Sequence, residues 1–359
     1  MTTMPNFEDL SVDELRKRRS AKWTMFPADV LPAWVAEMDF PLDDVVRAAL
    51  LASIEDSDCG YANGAGVKPA FAAFVQSRYG WTLDPAGVFV IPDVLVGISE
   101  ILRTLNQPGD RIVVNSPVYP PFYRVVGEVE RAIEDVPLLR GAGGSWSLDF
   151  AGLERAFAGG AAAYLLCSPH NPLGMVFDAP TLTRIAELAK KYNVLVIADE
   201  IHAPLTMNGA TFVPFLPIGD LVDCDAVALA SASKAWNLPG LKCAVAVAGS
   251  ERMRKQLARR AARAARSQPP AAHGAARARA ARRALHRAAG ELSCLARLQR
   301  ARPRSGSGRR LPRTRARRAH ARPRLRPGER SVRARQHGYI ERHPHRSRAP
   351  HGGVRRLDR

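Results

Sequence analysis

Three short segments of this 359-residue chain hold residue types that could act together on one bound molecule. The first, Ser231-Ala232-Ser233-Lys234-Ala235-Trp236-Asn237, follows the apolar run Ala226 to Ala230, so Lys234 falls just past a predicted strand end. A lysine at the mouth of a sheet is partly stripped of water, which favours its neutral amine and suits it to imine formation with an aldehyde. Ser231 and Ser233 offer hydroxyls to a phosphate, and Lys242 adds a point charge. The second segment, Ala198-Asp199-Glu200-Ile201-His202, puts Asp199 at another predicted strand end, where a buried carboxylate needs a positive partner. A protonated pyridine nitrogen would be one, and keeping that proton makes the ring an electron sink. In the third, Ser168-Pro169-His170-Asn171-Pro172, flanking prolines restrain Asn171, whose amide can donate to a phenolic oxygen.

Two more positions fit the same chemistry. Pro92-Asp93-Val94-Leu95 opens a predicted helix directly after the run Val88 to Ile91, and the free N–H groups there suit a phosphate. Tyr119 follows the run Ile112 to Val114 and offers a ring for stacking. Each segment also has an ordinary reading: a solvated lysine, turn-forming or capping serines, a structural strand-end aspartate, an Asn-Pro loop, a helix cap at Asp93, a packed loop tyrosine. Glu200 and His202 read as supports. Order along the chain joins the segments into a site for pyridoxal 5'-phosphate (PLP), a phosphorylated pyridine aldehyde.

The elements that must position these residues are legible as short apolar runs: 88–91, 112–114, 162–167, 194–198, 226–230 and 244–248. Runs of this kind suit strands buried on both faces. Helical spacing appears between them, most clearly after Asp178-Ala179-Pro180, where Asp178 is the expected cap and Pro180 an early position that costs no hydrogen bond. Further helices are expected over 11–19, 45–54, 68–79 and 94–105. The alternation predicts an α/β fold with a mainly parallel sheet sandwiched by helices, whose ligands gather at the carboxyl ends of the strands. The expected organisation is an N-terminal helix and loop over 1–40, a large domain over 41–251 and a tail over 252–359.

Charge marks that last boundary. Of the net charge of +19, residues 252–359, with 33 arginines, one lysine and four acids, carry +30, leaving −11 for the first 251. The tail has no Phe or Trp and one Tyr, too little apolar surface to offset chain entropy, and is expected to be disordered. Out-of-frame reading of GC-rich DNA yields this Arg, Ala, Pro and Gly bias and is the preferred origin, because the arginines form no repeat and mix with almost no lysine. The alternative is a basic arm that binds nucleic acid non-specifically. Five cysteines without C-x-x-C spacing suggest neither a metal site nor a disulfide framework. With no apolar leader and no run of about 18 apolar residues, a cytoplasmic protein without membrane spans is expected.

The quoted segments, together with Met38-Asp39-Phe40 and Gly60-Tyr61, resemble the fold-type I PLP enzymes of the aminotransferase class I/II superfamily, above all its cystathionine β-lyase-like branch. The resemblance runs from about residue 6 to residue 251. It implies that Lys234 carries the cofactor as a Schiff base, Asp199 contacts the ring nitrogen, Asn171 the phenolic oxygen, and Tyr119 stacks on the ring. Asp93, Val94, Leu95, Ser231, Ser233 and Lys242 would surround the phosphate, and Tyr61 would reach the phosphate of a second subunit in a homodimer. It also implies β-elimination on cysteine S-conjugates such as cystathionine, giving pyruvate, ammonia and a thiol, with transamination of an amino acid as the alternative. Such enzymes close the site with a small C-terminal domain that supplies an arginine for the substrate carboxylate. Nothing after about residue 251 resembles that domain, so weak or absent catalysis is expected of the chain as written.

Overall fold

The computed structural model describes residues 10–60, 64–207 and 209–267, with side chains to Arg259. By contacts the chain divides into units 1–273 and 274–359, and all described residues lie in the first. Most of the expected tail therefore lies outside the described residues, as does Tyr61.

Two short helices, α1 (Val12–Leu15) and α2 (Ala21–Thr24), precede α3 (Asp44–Glu55) and α4 (Val67–Tyr79). Then come β1 (Val88–Ile91), α5 (Val94–Leu105), β2 (Arg111–Val114), α6 (Pro121–Glu128) and β3 (Ala132–Asp135). A small hairpin of β4 (Leu139–Arg140) and β5 (Trp146–Ser147) leads to α7 (Phe150–Ala158), β6 (Ala163–Cys167) and α8 (Ala179–Tyr192). The series continues through β7 (Leu195–Asp199), α9 (Phe215–Leu221), β8 (Ala226–Ala230), β9 (Ala244–Ala248) and α10 (Glu251–Ser267). All six expected strands are present. The N-terminal helix is shorter than the 11–19 pattern suggests: Ser11 caps one turn, its hydroxyl accepting from the Glu14 N–H while Glu14 reaches back.

Seven strands form one sheet in the order β1-β9-β8-β7-β6-β2-β3, parallel except for β9, which runs against both neighbours. β6, β7 and β8 occupy the interior, and alternate residues face opposite layers. On one face Leu165, Ile197 and Val227 meet Ile98 and Leu102 of α5, Phe122 of α6 and Met253 of α10. On the other, Tyr164, Val196 and Ala226 meet Leu153 of α7, Ile185 of α8 and Phe215 of α9. Contrary to the expectation for apolar runs, β1 is not buried on both faces; it is an edge strand with only Val88 fully covered. β3, with the sequence Ala-Ile-Glu-Asp, is the opposite edge and carries no apolar run to announce it.

The compositional boundary at residue 252 is not a structural one. α10 starts at Glu251 and continues to Ser267, with Met253 2% exposed against the α5 side of the sheet, so the core extends past the point where the sequence alone placed the tail.

Candidate active site

Strand register creates the site. Cys167 pairs with Asp199, and Asp199 with Leu229, so the carboxyl ends of β6, β7 and β8 lie side by side. The segments beginning at Ser168, Glu200 and Ser231 must therefore leave the sheet along one edge. The N-terminus of α5 completes that edge. Gly97 sits close to the sheet: a Cβ there would stand 2.5 Å from Cδ1 of Ile91 and 2.9 Å from Cδ2 of Leu229, so a larger residue would require those side-chain ends to shift.

At this edge a cavity of about 490 Å³ is lined by Asp93, Val94, Leu95, Tyr119, Asn171, Asp199, Ser231, Ser233, Lys234 and Lys242. Every sequence-nominated site residue among the described ones borders it. Asp199 is 4% exposed and forms no ion pair among the described residues; its Oδ1 accepts the Ile201 N–H at 3.1 Å. Burial pushes its carboxyl up to about 6, against the opposing pull of that N–H and of Lys234. Lys234 shifts the other way: burial lowers its pKa, although Asp93 and Asp199 work to raise it. Lys234 and Asp199 thus line one cavity and act on each other electrostatically, each opposing the effect of burial on the other's pKa.

The phosphate-compatible corner is tied together internally. Asp93 caps α5, Oδ1 accepting from the Leu95 N–H at 2.9 Å, while Oδ2 accepts from Lys242 Nζ at 2.9 Å. Its carboxylate is thus occupied in placing the helix end and Lys242, which leaves the backbone as the part able to meet an anion. Ser231 Oγ donates to the Cys243 carbonyl at 2.7 Å, accepts the Ser233 N–H at 3.1 Å, and lies 2.7 Å from Ser233 Oγ. Tyr119 stands edge-on to Phe122, centroids 5.7 Å apart, and burial raises its phenol pKa, assisted by Asp199 and Asp93. Next to Asn171, burial pushes the Cys167 thiol up to about 12, and its Sγ accepts the Asn171 N–H at 3.3 Å.

Sequence reasoning missed several wall residues. Trp34, Val35 and Ala36 close one side, and Lys234 Nζ donates to the Ala36 carbonyl at 3.4 Å. Met38-Asp39-Phe40 was the nearby signal, but nothing local says that a loop nearly 200 residues upstream covers the lysine. This N-terminal strap is held by Arg18, which donates to the carbonyls of Met38, Asp39 and Phe40, and by buried Lys22, whose Nζ reaches Asp39 Oδ2 at 2.6 Å. His202, read only as a support, also lines the cavity, and burial lowers its pKa, with Lys234 adding to the effect.

The cavity suits PLP by its donor set: a buried carboxyl without an ion pair among the described residues for a ring proton, a lysine whose pKa burial lowers, and a helix N-terminus beside serines and a second lysine for a phosphate. The aminotransferase class I and II profile matches residues 36–300. The chain belongs to that family. Among its relatives, a Mycobacterium leprae protein provisionally named a cystathionine beta-lyase is 43% identical over 260 residues, covering 70% of this chain and 63% of that one. The cystathionine beta-lyase of Corynebacterium glutamicum is 38% identical over 237 residues, covering 65% and 61%. Cystalysin from Treponema denticola, whose crystal structure contains PLP, superposes with a TM-score of 0.66 at 25% identity, over 71% of this chain and 66% of that one. This aminotransferase-family chain thus spans less than two thirds of the length of the curated relatives it matches. Among its described residues no helix is long and apolar enough to cross a membrane, and Cys59, Cys167, Cys224 and Cys243 are free thiols.

Proposed function

We propose that this family member binds PLP at the Lys234 cavity and follows the C–S β-lyase pattern, taking a cysteine S-conjugate such as cystathionine to pyruvate, ammonia and a thiol. The observation that carries the reading is that Lys234 and the buried carboxyl of Asp199, which forms no ion pair among the described residues, line one cavity, on a chain 38% identical to a cystathionine beta-lyase. When bound, PLP supplies an electrophilic carbonyl and an electron-withdrawing ring. Asp199 would hold a proton at the ring nitrogen, and Asn171 would donate to the phenolic oxygen. The Asp93 to Leu95 backbone, Ser231, Ser233 and Lys242 would hold the phosphate, and Tyr119 would lie beside the ring. Lys234 Nζ would accept the substrate α-proton, and its lowered pKa favours the neutral amine for that task. Water would complete the conversion to pyruvate and ammonia, and Trp34 to Ala36 line the cavity beside the lysine.

The family resemblance supports a homodimer in the cytoplasm, with Tyr61 serving the second subunit's phosphate. It also supports weak or absent turnover by this chain, because a substrate-carboxylate arginine has no counterpart among the described residues of the cavity. The test is to incubate the chain with PLP and cystathionine and to measure thiol and pyruvate against amino transfer to a 2-oxo acid. Thiol with equimolar pyruvate supports the lyase; transfer without pyruvate replaces it with transamination.

A further inference from the structure

A second cavity lies behind the lysine segment, between α4, the 203–214 loop and the ends of β8 and β9. Its volume is about 160 Å³, and Ser231 is the only residue that borders both it and the Lys234 cavity. Four rings in successive edge contact wall it: Phe212 to Tyr79 at 5.0 Å, Tyr79 to Phe74 at 5.8 Å, and Phe74 to Trp236 at 5.5 Å. Chains of edge-to-face contacts hold rings rigidly, and an apolar void of roughly 150 Å³ is enough to admit a benzene-sized guest.

Besides Ser231, the Tyr79 hydroxyl and the Glu200 carboxyl interrupt the largely apolar lining. The Tyr79 hydroxyl is buried with no hydrogen-bond partner among the described residues, a state that a guest with a polar atom would relieve. Glu200 is 5% exposed, and one of its oxygens accepts the Phe215 N–H at 2.8 Å. Burial pushes its carboxyl up to about 8, with Asp199 acting in the same direction, which favours the protonated acid over a counter-ion for a cation. We propose that this cavity is a second ligand site, separate from the Lys234 cavity, for a small uncharged aromatic molecule bearing one hydrogen-bonding group. An occupant would touch Trp236 and Ser231 and press on the segment that carries Lys234 from the side opposite the cofactor.

The probe is 4-fluorophenol, followed by fluorine NMR on the full chain with and without PLP. The expected result is saturable line broadening in both states. Tyr79→Phe is expected to weaken binding about fivefold, the worth of one net hydrogen bond. Val75→Phe, which fills the cavity from α4, should abolish binding, and if it fails to fold, Ala203→Leu fills the same space. Broadening unchanged in Tyr79→Phe and in the filled variant, loss of binding on adding PLP, or tighter binding of 4-fluorobenzylammonium than of the phenol would each overturn the proposal.

Discussion

Asn237 holds Met38 from both sides: its Oδ1 accepts the Met38 N–H and its Nδ2 donates to the Met38 carbonyl, both at 3.0 Å. The two residues are 199 positions apart, so this amide ties the lysine turn to the strap that covers it. Asn237 also sits at φ +55°, a conformation that asparagine tolerates and that most residues resist. Asn237→Gly keeps the backbone but loses both bonds. It is expected to cost about 1–3 kcal/mol in urea unfolding and to speed protease cleavage within residues 11–40. Unaltered cleavage would mean that Arg18 and Lys22 hold the strap unaided.

Lys234 is expected to be the only attachment point for the cofactor. Borohydride treatment of the PLP-loaded chain should fix the cofactor covalently to the wild type and leave Lys234→Ala unlabelled in peptide mass spectra. Any lyase or transfer activity should fall by about 10²–10⁴-fold from the lost proton transfer alone. A label on Lys242 instead would move the chemistry to the other lysine.

Asp93 joins the end of α5 to Lys242, so its replacement is expected to act on stability and on anion binding together. Asp93→Ala removes a cap worth about 0.5–2 kcal/mol and releases Lys242 from its ion pair. PLP titration by absorbance should show weaker binding, whereas Asp93→Asn, which retains a capping oxygen, should recover most of the stability. Equal loss in both variants would assign the effect to the ion pair.

Glu200 and Asp199 set a pH dependence with a defined sign. Both folded-state values are raised, to about 8 and about 6, from ordinary values of 4.5 and 3.8. Ionisation is therefore easier in the unfolded chain, and stability of the cofactor-free protein falls as pH rises through that interval. Glu200→Gln keeps an oxygen for the Phe215 N–H. It is expected to be nearly neutral at pH 4.5 and stabilising by a few kcal/mol at pH 8 in urea unfolding, since each tenfold change in an ionisation constant between the folded and unfolded chain is worth about 1.4 kcal/mol. Stability independent of pH between 4.5 and 8 in the wild type would show that water reaches these carboxyls.

The +30 charge of residues 252–359 predicts non-specific affinity for duplex DNA that drops steeply between about 50 and 200 mM salt. A filter-binding titration across that range, repeated after removing residues 268–359, checks it. Binding that persists without those residues would place the interaction elsewhere.

Local pattern made much of the fold legible. The cap at Asp178 and the helical spacing after it mark the start and course of α8, because capping and periodicity are written within one stretch of chain; the structure ends it at Asn193 in the αL conformation. β3 escaped notice because an edge strand exposes half its residues and needs no apolar run. The start of α10 was hidden by arginines, since among its described side chains it buries Met253 and partly buries Leu257 while Arg252 and Lys255 stay exposed.

The sequence by itself determined the chemistry at hand: a lysine, an aspartate and an asparagine past three strand ends, with serines beside the lysine. Residue type and the polarity of parallel strands suffice for that, because strands in parallel register bring their carboxyl ends to one edge. Tertiary structure alone decided that Asp199 is buried without an ion pair among the described residues, that Asp93 is committed to Lys242, and that Trp34 to Ala36 line the cavity. Those facts depend on burial and on contacts between residues up to about 200 positions apart, which short-range pattern does not encode.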